Sequence, residues 1–305
     1  MPTVSTDAAI DVAHLAKRYG DVDAVSDVTL RVERGAIFGF LGPNGAGKTT
    51  CVKLLLGLAS PTAGGGTVLG RPLGDRAARA RIGYLPELFR YHDWMTAREE
   101  LDFHAGLIGI ERSERDRAID DVLETIGLSE RADRRIGTYS KGMQQRVGLG
   151  VALLGSPDLI VLDEPTSALD PIGRIDVREI LRSLKARGAT VFLNSHLLGE
   201  VELLCDRVAI VDRGRIAAAG PTQELVGVAR GVRLKASPAG VPLHSILTRY
   251  GIPRDDGDWI VVDAMTRDDV PQLVRDLVAA GIALHAIEPL TATLEERFME
   301  VLQTR

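Results

Sequence analysis

Nine residues, GPNGAGKTT at 42–50, carry chemistry that can be read directly from their types and spacing. They fit the pattern G-x-x-x-x-G-K-S/T. In such a loop the glycines let backbone N–H groups turn inward as an anion nest at a helix start, where the dipole favours negative charge. Gly42, Pro43, Asn44, Gly45, Ala46, Gly47 and Thr50 would wrap the phosphates. Lys48 is expected to reach the β- and γ-phosphates, and Thr49 to ligate Mg2+. A second element is LIVLDEP at 159–165. Its four apolar residues place Asp163 at the C-terminal end of a parallel strand, where open α/β sheets hold ligands. Asp163 can hold Mg2+, directly or through water. Glu164, next along, is a candidate general base for attack on the γ-phosphate. Together the two elements imply a nucleoside triphosphatase without saying which kind.

The elements that must position these residues follow from hydrophobic pattern. Residues 9–42 read as strands in AIDVAHLAKRY, DVTLRVERG and AIFGFLG, the last a nearly continuous apolar run typical of a strand buried on both faces. A helix is expected from Lys48 to about Leu58, broken by SPTAGGG at 60–66. Residues 87–135 are helix-like and charged, and another helix should begin after Ser140. PDLIVLDEP and GATVFLNSH read as buried strands with the helix PIGRIDVREILRSLKARG between them, which implies a parallel sheet with right-handed crossovers. RVAIVDRGRIAAAG reads as a hairpin turning at Arg213–Gly214. Beyond about residue 228 the pattern changes: GVRLKASPAG and WIVVDA look like strands, RDDVPQLVRDLVAAG and TLEERFMEVLQ like amphipathic helices. The expected division is therefore a main domain over 1–228 and a small α+β domain over 229–305, joined around Gly227.

Composition narrows the classes. The 305 residues are 45% hydrophobic and 26% charged, as in ordinary globular proteins. A net charge of −5 argues against general nucleic-acid binding, which needs a basic face. Cys51 and Cys205 are too few for a disulfide framework and read as small buried hydrophobes in a reducing compartment. MPTVSTDAAIDVAH has no basic start followed by an apolar run, so no secretory signal is expected. VGLGVALLG at 147–155 falls short of the about 20 residues that a spanning helix needs.

The discriminating stretch is YSKGMQQRVGLG at 139–150. Here the chain resembles the ATP-binding cassette (ABC) family, whose hallmark at this place reads LSGGQ; Ser140 and Gly142 match it, while Tyr139, Lys141 and Met143 depart. Physically, Ser140 is a good N-cap, and the helix start offers free N–H groups to a phosphate. The order of motifs extends the resemblance over residues 9–226. It implies that Tyr19 stacks on adenine, that Asp170 in SALD contacts an opposing subunit, and that His196 in LNSH contacts the γ-phosphate. It also implies that Ser140 and Gly142 bind the ATP held by another cassette. Where the family usually has Gln, GYLPE supplies Glu87, a carboxylate that can still ligate Mg2+. The fold implied is α/β, a P-loop cassette with a parallel core sheet, antiparallel N-terminal strands and a helical subdomain over about 87–155. YLPE with an appended C-terminal domain looks most like the branch serving drug, lipid and polysaccharide exporters.

One copy of each motif implies a homodimer or heterodimer of cassettes. Lacking a spanning segment, the chain would need separate transmembrane permease subunits and would sit peripherally on the cytoplasmic face of the cell membrane. Residues 87–135 are the expected docking surface, LFRYHDWMTA supplying aromatics, with Trp94 readable equally as core packing. An import ATPase, or a non-transport ABC ATPase acting as a regulatory or mechanical module, uses the same nucleotide chemistry and stays open. Repair and chromosome relatives carry a long heptad insertion that is not seen here. A GTPase would need N-K-x-D, which is missing, and a non-catalytic module would be expected to have lost Glu164 or His196.

Overall fold

Three runs of five residues, IFGFL, LIVLD and TVFLN, are buried at every position, and they lie side by side in one sheet. A computed structural model describes residues 8–167, 169–226, 231–237, 243–263, 265, 267–290 and 293–303. The chain divides into two compact units, Met1–Gly220 and Pro221–Arg305. The expected joint around Gly227 lies outside the described residues.

In the first unit the elements run β1 (Ala8–Tyr19), β2 (Val22–Glu33), β3 (Ile37–Leu41), α1 (Lys48–Leu55), β4 (Ala63–Val68), β5 (Arg71–Pro72), α2 (Arg76–Arg79) and β6 (Ile82–Leu85). They continue as α3 (Ala97–Leu107), α4 (Arg112–Thr125), α5 (Lys141–Leu153), β7 (Leu159–Asp163), α6 (Pro171–Ala186), β8 (Thr190–Asn194), α7 (Leu198–Leu204), β9 (Arg207–Asp212) and β10 (Arg215–Pro221). Ten strands form one mixed sheet in the order β5-β4-β1-β2-β10-β9-β3-β8-β7-β6. The β9-β3-β8-β7-β6 part is parallel, with β7 and β8 in register from Leu159↔Thr190 to Asp163↔Asn194. The β5-β4-β1-β2 part is antiparallel. Parallel strands need covered faces, and Phe192 of β8 stacks on Phe38 of β3 (centroids 5.9 Å apart) and tilts against Phe40 (5.3 Å). The hairpin turn falls at Arg213 and Gly214, both at positive φ.

The glycine-rich stretch corrects the expectation that 60–66 is only a breaker. α1 stops at Leu55, and Ala63–Val68 is a strand paired antiparallel with β1. The glycines are there for close approach: a Cβ on Gly64 would lie 2.0 Å from the His14 carbonyl oxygen, and one on Gly66 would lie 2.2 Å from that of Asp11. The helical part holds α3, α4 and α5. α3 opens with a capping box, in which Thr96 Oγ1 accepts from the Glu99 N–H and Glu99 Oε2 accepts from the Thr96 N–H.

The second unit contains α8 (Thr222–Val226), β11 (Gly231–Ser237), α9 (Leu243–Leu247), β12 (Ile252–Asp256), β13 (Trp259–Asp263), α10 (Val270–Ala279), β14 (Ala283–Leu290) and α11 (Leu294–Gln303). Its sheet runs β12-β13-β11-β14 and every described pair is antiparallel. From β11 to β14 the order is βαββαβ, a split βαβ arrangement. Val232, Leu234, Val262, Leu273 and Leu277 share its core.

Candidate functional site

The phosphate loop is fixed by close backbone packing. A Cβ on Gly42 would lie 2.4 Å from the Val211 carbonyl oxygen, and one on Gly47 would lie 2.2 Å from that of Ala24. Gly47, at φ 98°, precedes α1 and gives it no side-chain cap, so the first N–H groups of the helix stay free for an anion. The Gly214 N–H donates to the Ala46 carbonyl (2.9 Å) and ties the loop to the β9–β10 turn. Lys48 is buried, and its Nζ donates to the carbonyls of Gly42 (2.7 Å) and Pro43 (3.2 Å). Burial holds its ammonium below the usual lysine range, while the charges of Glu164, Asp163 and Glu87 pull it back up. Thr49 is exposed and Thr50 half-buried.

Asp163 ends β7 at 2% exposure, opposite Asn194 of β8, whose Nδ2 donates to Asp163 Oδ1 at 2.5 Å. Burial pushes the carboxyl above the usual range against the Asn194 hydrogen bond, with Glu87 and Glu164 adding to the push and Lys48 opposing it. Glu164 turns sharply at φ 54°, a region that non-glycine residues seldom adopt, and its N–H donates to the Asn194 carbonyl at 2.8 Å. His196 Nδ1 lies 2.8 Å from Glu164 Oε2. That is ion-pair range, but the geometry is not that of a hydrogen bond, and Oε2 is buried without a hydrogen-bond partner.

Lys48, Glu87, Asp163, Glu164 and His196 therefore form one electrostatic cluster. Asn194 is a member that sequence reasoning missed. Its one signal was a polar residue closing an apolar strand. Other expected residues stand apart. Ser140 caps α5 by accepting from the Met143 N–H (3.3 Å), and Asp170 caps α6 by accepting from the Gly173 N–H (2.8 Å). Gly142 faces Leu169, so the starts of α5 and α6 are neighbours. Tyr19, 48% exposed, ends β1 with Lys17 Nζ 4.9 Å above its ring. Among the described residues, no hydrogen bond or ion pair joins Tyr19, Ser140 or Asp170 to the Lys48 cluster.

The buried charges carry a prediction. A carboxyl raised in the folded state above the ordinary 3.8 contributes fully below that value and loses the contribution as pH rises through its folded value. Near neutrality, then, the Asp163 carboxylate opposes folding of the nucleotide-free chain. Asp163→Asn, which can still pair with Asn194, is expected to stabilise that state by about 1 kcal/mol, or roughly 2–4 °C in Tm, while removing the negative charge from the site. Calorimetric scans at pH 7 test this, and a lower Tm than wild type would reject it.

Comparison with known proteins adds the context. The family model described as ABC transporter matches residues 25–167. An uncharacterized ABC transporter ATP-binding protein of Nostoc sp. is 44% identical over 99% of this chain and 92% of its own length. Nod factor export ATP-binding protein I of a Rhizobium sp. is 41% identical over 96% of each chain. A solved structure described as an ATP binding subunit of an ABC transporter superposes with a TM-score of 0.64 at 32% identity, covering 71% of this chain and 91% of that one.

Proposed function

Since this chain belongs to the ABC transporter family and is an ATP-binding subunit, we propose that it hydrolyses ATP to drive export through separate transmembrane permease subunits. The observation that carries the hydrolytic part is Glu164, a buried carboxylate whose Oε2 has no hydrogen-bond donor beside Lys48, Asp163 and His196. Export is favoured by the likeness to a Nod factor export protein along 96% of the chain. The import and non-transport readings have no observation of their own here.

Lys48 would exchange its two carbonyl partners for β- and γ-phosphate oxygens, and the free N–H groups of α1 would bind the same phosphates. Water held by Glu164 attacks the γ-phosphorus. The O–P bond forms as the bond to the β–γ bridging oxygen breaks, the water proton passes to Glu164, and ADP leaves with the electron pair. His196, beside Oε2, would fix the Glu164 side chain and meet the γ-phosphate. Tyr19 would stack on adenine. The donors fit Mg2+: the Thr49 hydroxyl and the Asp163 and Glu87 carboxylates are hard oxygens. Among the described residues, no three His, Cys, Asp or Glu stand as a ready metal cage, which suits an ion that keeps waters and arrives with phosphates. When bound, Mg2+ supplies charge neutralisation on the β- and γ-phosphate oxygens.

A second cassette would complete each site with its Ser140 and Gly142, and Asp170 would face the partner. Among the described residues no helix is long and apolar enough to cross a membrane. The chain would accordingly work at the cytoplasmic face beside its permease, with the second unit as an accessory domain. The docking reading is supported by Leu88, Trp94, Phe103 and Leu107, which are all exposed, Trp94 at 68%. Ordinary core packing of Trp94 does not match that exposure. Affinity purification from detergent-solubilised membranes tests the assignment. A polytopic membrane protein should accompany the wild type and be lost with Trp94→Asp, and recovery of none with either chain would reject the transport reading.

A further inference from the structure

No charged side chain among the described residues is more buried than Glu100, in the first turns of α3, at 1% exposure. Two donors of His92, the N–H (3.3 Å) and Nδ1 (3.0 Å), meet Oε2, and His104 Nε2 stands within ion-pair range of Oε1 (3.3 Å). Rings close the shell: Tyr91 stands edge-on to His104 (6.0 Å), Phe103 neighbours His104 (5.4 Å), and His92 neighbours both Phe103 (5.8 Å) and Trp94 (4.9 Å). Burial, and after it the charge of Glu100, raise the Tyr91 phenol well above its ordinary value. A buried carboxylate is costly unless its lone pairs are met, so the segments that meet Glu100 are held to an arrangement that keeps those contacts.

Here those segments are α3 and the loop 86–96, and the loop runs from beside the Lys48 cluster to the segment that leads into α5. It begins at the end of β6 with Glu87, whose charge acts on Lys48 and Asp163. Farther on, the Asp93 carbonyl accepts from the Gly137 N–H (3.0 Å) and the Met95 carbonyl from the Ile136 N–H (2.8 Å), just ahead of Ser140. Phe89 and Tyr91 lie so close to Gly148 of α5 that a Cβ there would be 3.4 and 3.2 Å from them. At the loop's outer side stands exposed Trp94.

We propose that Glu100, gripped by His92 and His104, is a positioning residue that pins loop 86–96, so that occupancy of the nucleotide site is felt at Trp94. Without the pin the loop keeps the Thr96–Glu99 capping bonds and its ring contacts with α3 but loses its buried polar anchor at His92, and Glu87 can move without moving Trp94. The inference rests on the ATP-binding reading above.

The full chain carrying Trp259→Phe leaves Trp94 as the sole indole, and Mg2+ with a non-hydrolysable ATP analogue is the probe. Saturating analogue should change Trp94 emission in this parent. Glu100→Ala and His92→Phe, the latter keeping a ring beside Trp94 while losing the Nδ1 contact, should each reduce the fractional change at least about fivefold. Calorimetry should meanwhile find analogue affinity within about threefold of the parent, as for substitutions away from a ligand. Glu100→Gln, which keeps an acceptor for both His92 donors, should retain at least half of the response. His92 is 39% exposed, so His92→Phe carries the test if Glu100→Ala does not fold. A bound parent with no change in emission, or Glu100→Ala and His92→Phe variants that respond like the parent, would overturn the pin. So would equal loss in Glu100→Gln and Glu100→Ala. A parent that binds no analogue in calorimetry would reject the ATP-binding reading, and the pin with it.

Discussion

Glu164→Gln is expected to keep ATP bound while lowering turnover by about two to four orders of magnitude, the usual contribution of a general base. The substitution is nearly isosteric, so the φ 54° turn and the Glu164 N–H bond to the Asn194 carbonyl should survive. What changes is proton affinity. A carboxylate can take the proton of the attacking water through Oε2, the oxygen that no hydrogen-bond donor meets. An amide cannot. Lys48 and the free end of α1 are untouched, so phosphate binding continues. Removing a buried negative charge beside Asp163 and Glu87 also relieves like-charge repulsion. With hydrolysis blocked, ATP should accumulate between two cassettes, and the variant should elute as a dimer with Mg-ATP while the nucleotide-free chain does not. Steady-state phosphate release and size-exclusion chromatography read the two halves separately. A variant that releases phosphate at the wild-type rate would remove Glu164 from the chemistry.

Legibility in the sequence followed the range of the interactions. IFGFL, LIVLD and TVFLN were readable as strands because burial on both faces needs only local apolarity, and all three are fully buried. Strands β12 and β14 were not read, since IPRDD and ALHAIEPL are largely exposed and take their conformation from β13 and β11 rather than from their own pattern. Gly64–Gly66 looked like a breaker because composition cannot tell a turn from a strand that must pass close to another backbone. The phosphate loop is contiguous and could be read as one object. Asn194 meets Asp163 only through strand register, and Glu100 meets His92 only because a loop folds back on its helix. No spacing rule announces either contact. Ser140 and Asp170, both read from motif order, are engaged in capping their own helices, which leaves open whose nucleotide they serve.

That question decides the last prediction. If each ATP lies between Lys48 of one chain and Ser140 of a second copy, Lys48→Ala and Ser140→Arg should each inactivate a homodimer. The first removes the cation on the β- and γ-phosphates. The second puts bulk at an exposed helix start where phosphate would dock, and it also removes the hydroxyl that accepts from the Met143 N–H. Mixing the two inactive proteins should restore activity. In a mixed dimer one site takes both lesions, and the other pairs an intact Lys48 with an intact Ser140. Random mixing gives about half mixed dimers with one good site of two, so about a quarter of wild-type turnover should return if the sites act independently. A site built within one chain predicts no recovery at any ratio. Coupling between sites could suppress turnover without abolishing binding, so formation of mixed dimers and ATP capture are measured alongside. Mixed dimers that form and still capture no ATP would show that Lys48 and Ser140 of different chains do not share a nucleotide.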